Sequence, residues 1–351
     1  MRKLFFLLVL PFLIIQSCDE EKSDKNDIID FSIAAISNQN FIQENIVIDK
    51  VYKKIFVAFS NTDIETIFPI TITPTIKISS GAKINPKSGE AITFNHPDDY
   101  ISYEVTSEDG KKEIWNLQLI HKQIQNSNFQ KWYTVQITSS VGYHEVGSSY
   151  NSALWASANA GTSTYAIFNT LPYVIDEDSM ALIKTDAAGP VPVAAGTLFT
   201  GKFNIKGAIS NPTNPKAATD FGIPFYWKPT SMKFKFKYTA GDDYIRATLL
   251  NPTNLFGGFT IEHLEGEDQC NIYAILEQRS GDQVLEIGRA NFVSSTTGID
   301  FTEQIVDFIY TSTLNPTHIT VVFTSSKDGD YWTGAVGSTL IINDLELIYS
   351  E

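Results

Sequence analysis

The stretch Ser325-Ser-Lys-Asp-Gly-Asp-Tyr-Trp-Thr-Gly-Ala-Val-Gly-Ser-Thr-Leu-Ile-Ile-Asn-Asp-Leu-Glu-Leu-Ile-Tyr349 decides the fold of this 351-residue chain. Its first part, Ser325 to Asp330, consists of turn-forming residues, and the pair Asp328-Gly329 can supply a residue with positive φ. Two adjacent large aromatics follow the turn. A polar turn in front of an apolar run predicts a loop that leads into a strand.

The second part, Leu340 to Tyr349, alternates apolar and acidic side chains and is predicted to be a β-strand. The side chains expected to share one face of it are Leu345, Leu347 and Tyr349. The opposite face is expected to carry Asp344, Glu346 and Ile348. Because a strand ties the end of a chain into a sheet, we expect this segment to complete the last domain.

Upstream of this stretch the chain has the pattern of one large all-β domain, residues 126–351. Its clearest strand is Met232–Tyr238, in which apolar side chains alternate with lysines. Ile319–Phe323 is apolar throughout and is predicted to be buried on both faces. Glu303–Tyr310 is the best candidate for a short helix. Many strands with long connections predict a jelly-roll β-sandwich.

Residues 28–122 are predicted to form a smaller domain of short strands. A hairpin is expected where Ile101–Val105 and Trp115–Leu119 flank the turn Ser107–Gly110. The pattern indicates an immunoglobulin-like (Ig-like) β-sandwich, separated from the larger domain by a polar boundary at 123–128. Such a module is expected to act as a spacer, with a binding role as the alternative.

The amino-terminal residues have the pattern of an export signal. The basic pair Arg2-Lys3 precedes an apolar run, Leu4–Ile15, that is too short to span a bilayer. The run ends in Ile15-Gln-Ser-Cys18, which resembles a lipobox. We therefore predict that residues 1–17 are a lipoprotein signal peptide and that Cys18 is lipidated. The alternative is a simple secretory signal in which this cysteine is incidental.

Residues 18–27 are predicted to be a tether between the membrane and the first domain. The acidic run Asp19-Glu-Glu21 resembles the export signal with which glycan-degrading Gram-negative bacteria place lipoproteins on the outer face. Its alternative is a solvated spacer. We expect an outer-membrane lipoprotein that faces the cell surface.

The overall composition is that of a folded β protein. Hydrophobic residues make up 43% of the chain and charged residues 19%, with 15 Tyr and 23 Phe. The formal net charge is -14 and there is no long basic run. Because phosphate backbones require clusters of Lys and Arg, no nucleic-acid partner is expected.

Four segments, taken in order, resemble a family of bacterial surface lipoproteins, the putative carbohydrate metabolism domain (PCMD). These segments are Trp155–Asn159, Ala194–Phe203, Gly222–Ser231 and the opening stretch 325–349. The resemblance covers residues 126–351. It implies a jelly-roll fold that resembles carbohydrate-binding modules and a role in carbohydrate metabolism.

Metal and cofactor signatures are sparse. The five histidines are scattered without paired spacing, so zinc is not expected. Asp344 with Glu346, or Asp328 with Asp330, could supply oxygens to a structural calcium ion, but solvated carboxylates are the favoured interpretation. No nucleotide-binding loop motif is present, and no cofactor is predicted.

Catalytic signatures are also sparse. There is no GxSxG elbow. Cys270, the one cysteine besides Cys18, lacks an evident base and is predicted to be a small buried hydrophobe. A glycosidase needs two carboxylates on either side of a bond, roughly 5 to 10 Å apart. The 40 acidic residues supply candidates without showing their geometry.

The aromatic residues favour glycan binding. Carbohydrate sites combine aromatic platforms, which stack on sugar rings, with polar groups that contact the hydroxyls. Adjacent aromatics in a strand point to opposite faces, so one of each pair is expected to face solvent. The predicted ligand-binding residues are Tyr226, Trp227, Lys228, Asp330, Tyr331, Trp332, Trp155 and Asn159. For Trp155, core packing is the alternative.

Together these observations predict a cell-surface lipoprotein that binds a glycan without catalysis. The expected partners are a glycan, the outer membrane through the lipid anchor, and other surface proteins of polysaccharide use. Two alternatives remain open. One is a glycoside hydrolase in the larger domain. The other is an adhesion or scaffold subunit that binds protein, which would show a broad exposed apolar patch and no cleft.

Overall fold

A computed structural model describes residues 22–38, 40–60, 67–211, 213–281 and 283–350, and these residues form an all-β protein. The predicted signal peptide and Cys18 lie outside the described residues. The strands of the smaller, amino-terminal domain are β1 (Ile28–Ile36), β2 (Gln43–Asp49), β3 (Lys54–Phe59), β4 (Ile70–Ile78), β5 (Lys83–Asn85), β6 (Ile92–Phe94), β7 (Tyr100–Thr106) and β8 (Lys112–His121).

The larger domain follows with the remaining strands. They are β9 (Trp132–Gln136), β10 (Gly142–Val146), β11 (Trp155–Ser157), β12 (Thr170–Ile175), β13 (Asp178–Lys184), β14 (Asp186–Ala188), β15 (Val191–Ala194), β16 (Thr197–Phe203), β17 (Thr219–Phe221), β18 (Ile223–Pro224), β19 (Ser231–Thr239), β20 (Tyr244–Leu249), β21 (Phe259–His263), β22 (Cys270–Ser280), β23 (Gln283–Ser294), β24 (Thr302–Asp307), β25 (Ile309–Tyr310), β26 (His318–Thr324), β27 (Thr333–Ala335) and β28 (Thr339–Ile348).

Helices are short. Among the described residues, the α-helices are α1 (Asn159–Thr162) and α2 (Ile205–Ser210). Single 3-10 turns lie at Ser163–Tyr165, Pro215–Ala218, Leu255–Gly257 and Gly329–Tyr331. All of them belong to connections of the larger domain. No helix in the described part of the chain has the length and apolar character to cross a bilayer.

The amino-terminal domain is an Ig-like sandwich of two sheets, ordered β1-β4-β6 and β2-β3-β8-β7-β5. The predicted hairpin is confirmed as β7 and β8, which pair antiparallel. Between the sheets lies a closed core whose largest side chains are the fully buried Trp115 and Tyr103. The last residues of the predicted tether contact this domain. The Asn26 carbonyl accepts a hydrogen bond from Trp115 Nε1 at 3.2 Å.

The larger domain is a jelly-roll sandwich. One sheet is ordered β11-β16-β26-β22-β23-β25, with β17 beside β16 and β18 beside β26, and the other β12-β13-β28-β19-β24. The alternating pattern of β19 is confirmed, because Met232, Phe234, Phe236 and Tyr238 are all at most 2% exposed. Phe292 of the first sheet packs edge-on against Phe236 of the second, with ring centres 5.1 Å apart. β26 is buried along its length, as predicted.

The closing strand β28 is also confirmed, but its buried face changes partway along. Leu340 and Ile342 are buried, and the next buried apolar side chains are Leu345 and Leu347, an offset of three instead of two. A register shift against β19 marks a β-bulge here, and Asp344 adopts a φ of 52° within it. The extra residue keeps both apolar pairs on the core side.

The prediction of a short helix at Glu303–Tyr310 is wrong. This segment forms β24 and β25, which pair with β19 and β23 respectively. Its β-branched residues, among them Ile305 and Val306, favour an extended backbone. Pairing with the edges of two formed sheets then supplies the hydrogen bonds that a helix would have made internally.

The two domains share apolar packing through β3 and β8. In β3 the side chains of Ile55, Val57 and Phe59 face the amino-terminal core, whereas Phe56 and Ala58 belong to the core cluster of the larger domain. All six residues of this strand are buried. A sheet buried on both faces is typical of a packed interior, so the smaller domain is not a freely hinged spacer.

Polar contacts reinforce this interface. Lys54 Nζ donates to the Asn151 carbonyl at 2.9 Å, and Gln118 Nε2 donates to the Ser152 carbonyl at 2.8 Å. The boundary segment is bound as well, since Gln123 exchanges two hydrogen bonds with the backbone of Leu347 in β28. The predicted polar boundary is therefore a fixed part of the interface.

We predict that Phe56→Ala lowers the free energy of unfolding by about 3 kcal/mol, because it empties a buried ring site between the domains. Urea unfolding followed by fluorescence measures this. Val51→Ala, at a position 81% exposed, is the matched control and should change stability by less than about 0.5 kcal/mol. Equal effects of the two substitutions would contradict a shared core.

Candidate functional site

The site is built on the outer face of the eight-stranded sheet, on the side away from the core. The registers of β11, β16, β26 and β22 place Ala156, Phe199, Val322 and Tyr273 side by side in one row across this face. These residues and Phe221 form a small apolar cluster separate from the main cores. The row is the floor of a groove whose walls are the surrounding connections.

One wall is the segment between β26 and β28, residues 325–338, which we call the platform loop. A single buried carboxylate, Asp268, fixes it. Asp268 Oδ2 accepts hydrogen bonds from the hydroxyls of Ser326 and Ser338 and from the backbone N–H of Ala335, the last at 2.9 Å. Burial raises the pKa of this carboxyl, and its hydrogen bonds act in the opposite direction.

The platform loop is further held from the core side. Tyr238 of β19 donates its hydroxyl to the Ser325 carbonyl at 3.0 Å. The Thr185 hydroxyl lies 2.7 Å from Ser325 Oγ and 2.6 Å from Ser326 Oγ. The loop therefore leaves the sheet along a fixed path, and the aromatics at its tip have a fixed position.

Tyr331 and Trp332 occupy that tip with different exposures. Tyr331 is 68% exposed. Trp332 is half-buried and packs edge-on against Phe259 of β21, with ring centres 5.4 Å apart. The positive φ expected at Asp328-Gly329 lies instead at Trp332, which has a φ of 49° and ends the 3-10 turn. Tyr331 therefore projects as a platform, and Trp332 braces it.

Two concavities meet at this platform. A cavity of about 500 Å³ lies over the sheet face, and an open depression of about 770 Å³ lies between the platform loop and β20. The residues lining both are Asn214, Asp330, Tyr331 and Trp332. The two spaces adjoin at Tyr331 and together are called the groove, and each has a volume in the range of small-ligand sites.

Charged neighbours surround the exposed ring. Lys216 Nζ lies 5.7 Å from the centre of the Tyr331 ring and 3.3 Å from Asp330 Oδ2. The lysine ammonium lies near the Tyr331 ring, and the Asp330 carboxylate lies next to that ammonium. The platform therefore combines an apolar ring surface with hydrogen-bonding groups. Asp330 was predicted as a site residue, whereas Lys216 was not.

The sheet floor contributes polar groups that sequence reasoning missed. Asn271 of β22 lines the groove, and its buried Oδ1 has no hydrogen-bond partner in the described part of the chain. Arg289 of β23 also lines the groove, where it lies 5.7 Å from the centre of the Tyr273 ring and makes a two-pronged ion pair with Glu286 at 2.7 and 2.8 Å. Burial raises the pKa of Tyr273 to about 12.

Leaving a buried acceptor unpaired costs free energy, so a donor that reached Asn271 Oδ1 from the groove would be favoured. The sequence carried one weak signal for this. Successive side chains of a strand point to opposite faces. Because Cys270 and Ile272 of β22 are buried, Asn271 and Tyr273 must both lie on the outer face. Which outer face becomes a groove depends on loops distant in sequence.

The side chains of Trp155 and Asn159 are buried in the fold and do not line the groove, although both were predicted as ligand contacts. Trp155 is 1% exposed, stacks on Phe323 at 5.8 Å and donates Nε1 to the Gln125 carbonyl. Asn159 is fully buried and exchanges hydrogen bonds with the backbone of Thr170. Both are structural, as the core alternative for the tryptophan anticipated.

Asn159 belongs to a buried polar cluster beside the groove. Its backbone N–H donates to Ser157 Oγ at 3.1 Å, and that hydroxyl donates to Glu145 at 2.8 Å. Burial raises the pKa of Glu145 to about 7. These contacts join β10, β11 and α1, so the cluster supports the wall of the groove from behind.

The second predicted aromatic pair is not brought to the platform. Tyr226 and Trp227 follow β18, which pairs with the start of β26, whereas the platform loop leaves its end. A seven-residue strand separates the two places by about 20 Å. Tyr226 and Trp227 pack against the main core, and Lys228 Nζ donates to the Thr313 carbonyl at 2.9 Å.

The carboxylates considered for calcium are paired with lysines. Asp344 lies 2.9 Å from Lys235 Nζ, and Glu346 lies 2.6 Å from Lys233 Nζ. Within the described ranges, no group of three or more His, Cys, Asp or Glu side chains is positioned to hold a metal ion.

We predict that Asp268→Ala lowers the free energy of unfolding by about 3 kcal/mol, because three buried donors lose their acceptor. Trypsin should also cut faster after Lys327, since the platform loop is released. The control is Glu267→Ala, an exposed carboxylate next in sequence, which should leave both values unchanged. Unchanged proteolysis in the Asp268 variant would show that this carboxylate does not fix the loop.

Comparison with known proteins agrees with this architecture. A crystal structure from Bacteroides thetaiotaomicron, described as a putative glycoside hydrolase, shares 24% identity and a TM-score of 0.58, over 95% of this chain and 99% of that one. Another from Bacteroides vulgatus, described in the same words, shares 27% identity and a TM-score of 0.51, over 64% and 97%. No curated protein matches the chain.

Two family models match adjoining parts of the sequence. Residues 28–118 match the model described as "SGBP, N-terminal". Residues 125–348, which form the jelly-roll sandwich and carry the groove, match the model described as "Putative carbohydrate metabolism domain". Because the second match covers more than half of the chain, this protein belongs to the putative carbohydrate metabolism domain family.

Proposed function

We propose that this protein binds a glycan in the groove beside Tyr331 and does not cleave it. Two features of the groove carry the proposal together. The Tyr331 ring is 68% exposed, and Asn271 Oδ1 in the floor has no hydrogen-bond partner among the described residues. An exposed ring can stack on the apolar face of a sugar, and a sugar hydroxyl can donate to the amide oxygen.

The shape of the groove supports a chain-like ligand. Its two spaces continue past Tyr331, one over the sheet and one beside β20. Asp330 and Lys216 stand at the junction, where they can contact hydroxyls of a sugar stacked on the ring. Trp332 packs against Phe259 and so fixes the position of the neighbouring Tyr331. A rigid platform reduces the ordering cost of binding.

Hydrolysis is the other candidate, favoured by the description of the two Bacteroides structures as putative glycoside hydrolases. A glycosidase needs carboxylates on both sides of the bond. Among the described residues lining the groove, the carboxylates are Asp328 and Asp330, both on the platform loop. Since none faces them from the opposite wall, binding without cleavage agrees better with the geometry.

The location we propose is the cell surface, with the chain anchored in the outer membrane through a lipid on Cys18. The lipobox-like Ile15-Gln-Ser-Cys18 supports it, as does the match of residues 28–118 to a surface glycan-binding model. The anchor would then be joined to the groove through domains that share a packed core. Other surface proteins of polysaccharide use would be the neighbours of such a protein.

The test of glycan binding starts with a glycan array and the chain beginning after Cys18. For each glycan retained, Tyr331→Ala should weaken binding roughly tenfold, because the stacking surface is lost. Isothermal titration calorimetry measures the dissociation constant, and a reducing-end assay on the same glycans should show no release.

Tyr150→Ala is the matched control for this experiment. Tyr150 is 69% exposed, as Tyr331 is at 68%, but it lies outside the groove beside Lys202. Its removal should leave the dissociation constant unchanged. Equal affinities of the wild type and the Tyr331 variant would contradict a binding site at Tyr331. Release of reducing ends would show that the protein hydrolyses the glycan, against the proposal of binding without cleavage.

The proposed anchor has its own test. Cys18→Ser should move the protein from the membrane fraction to the soluble fraction of the producing cells, because the thiol that carries the lipid is gone. Immunoblotting of the fractions measures this, with the wild-type chain as reference. Continued recovery of the variant in washed membranes would contradict lipidation at this position.

A further inference from the structure

The groove over the sheet is chemically divided along the row that forms its floor. Tyr273 in β22 has Asn271 and Arg289 as neighbours, so this half offers donors and acceptors. The half over β16 has Phe199 and Val322 as its floor. A ligand that fits both halves must therefore present a polar and an apolar part.

Apolar side chains enclose the half over β16, which we call the inner chamber. Three phenylalanines come from neighbouring strands, and Phe199 and Phe221 pack edge-on with ring centres 5.0 Å apart. The chamber is lined by Ala158, Tyr165, Val193, Phe199, Phe203 and Ala218. One wall depends on a glycine, since a Cβ at Gly189 would lie 2.2 Å from the Tyr165 ring.

Three threonine hydroxyls that border the inner chamber are already used within the protein. Thr162 Oγ1 donates to the Ala158 carbonyl at 3.4 Å, and Thr219 Oγ1 donates to the Lys216 carbonyl at 2.9 Å. Thr324 Oγ1 donates to backbone carbonyls at 3.1 and 3.2 Å. A bare sugar ring carries hydroxyls around its rim, and against the apolar lining several of them would lose their water without gaining a partner.

We propose that the inner chamber receives an ester-linked acyl substituent of the glycan, while the sugar that carries it lies over Asn271 and Tyr331. This inference rests on the proposed glycan binding and adds the class of glycan. Acetyl and hydroxycinnamoyl esters share the required chemistry, an apolar group joined to a sugar oxygen. Removal of the ester would leave the inner chamber without a complementary group and weaken binding.

The experiment compares polymers that differ only in their esters. Acetylated xylan, acetylated glucomannan and feruloylated arabinoxylan are each tested before and after alkaline saponification, by affinity electrophoresis with the wild-type protein. For at least one polymer, saponification should raise the dissociation constant tenfold or more. The polymer that shows the effect distinguishes an acetyl from a hydroxycinnamoyl group.

A chamber-filling variant gives a second measurement. Ala218→Phe should bring the ratio of the two dissociation constants towards one, because the added ring occupies the acyl position. Ala34→Phe, which adds the same ring at an exposed position of β1, should keep the wild-type ratio. Circular dichroism verifies that both variants fold, and the wild-type comparison needs neither of them.

Equal affinities for the ester-bearing and saponified forms of every retained polymer would overturn the inference. The same holds if the protein binds a glycan on the array but retains none of the ester-bearing polymers. If no glycan on the array binds, in contrast, the proposed function itself is overturned, so the two failures are distinct.

Discussion

The candidate site depends on one buried carboxylate. Asp268 accepts hydrogen bonds from Ser326, Ala335 and Ser338, and so closes the platform loop onto the sheet before the chain enters β28. Burying a carboxylate carries a large desolvation cost unless its oxygens are bonded, and here the donors come almost entirely from the loop being fixed. The loop and the carboxylate therefore stabilise each other. The exposed ring of Tyr331 has a defined position because of this arrangement.

A second constraint joins the two domains. β3 and β8 lie between the amino-terminal core and the core of the larger domain, and Phe56 packs on the far side from Ile55. A hinged spacer would let the larger domain move freely relative to the smaller one. Shared packing holds the groove at a fixed orientation relative to the amino-terminal domain.

The sequence was informative about strands and less so about the site. Alternation identified β19, and uniform apolarity identified the two-sided burial of β26, because these features depend on local pattern. The expected helix at Glu303–Tyr310 failed because sheet pairing, a long-range effect, decided its structure. Tyr331 lies at a groove, but Tyr226 and Trp227 lie about 20 Å away at the other end of β26. Convergence of loops distant in sequence cannot be read from residue types alone.

The central claim is that a glycan lies across Tyr331 with a hydroxyl on Asn271. A crystal structure of the protein with an oligosaccharide from the glycan array tests it most directly. The account predicts a sugar ring stacked on Tyr331 and a sugar oxygen within hydrogen-bond distance, about 3 Å, of Asn271 Oδ1. A sugar bound instead at Trp227, with the groove beside Tyr331 free of ligand, would contradict it.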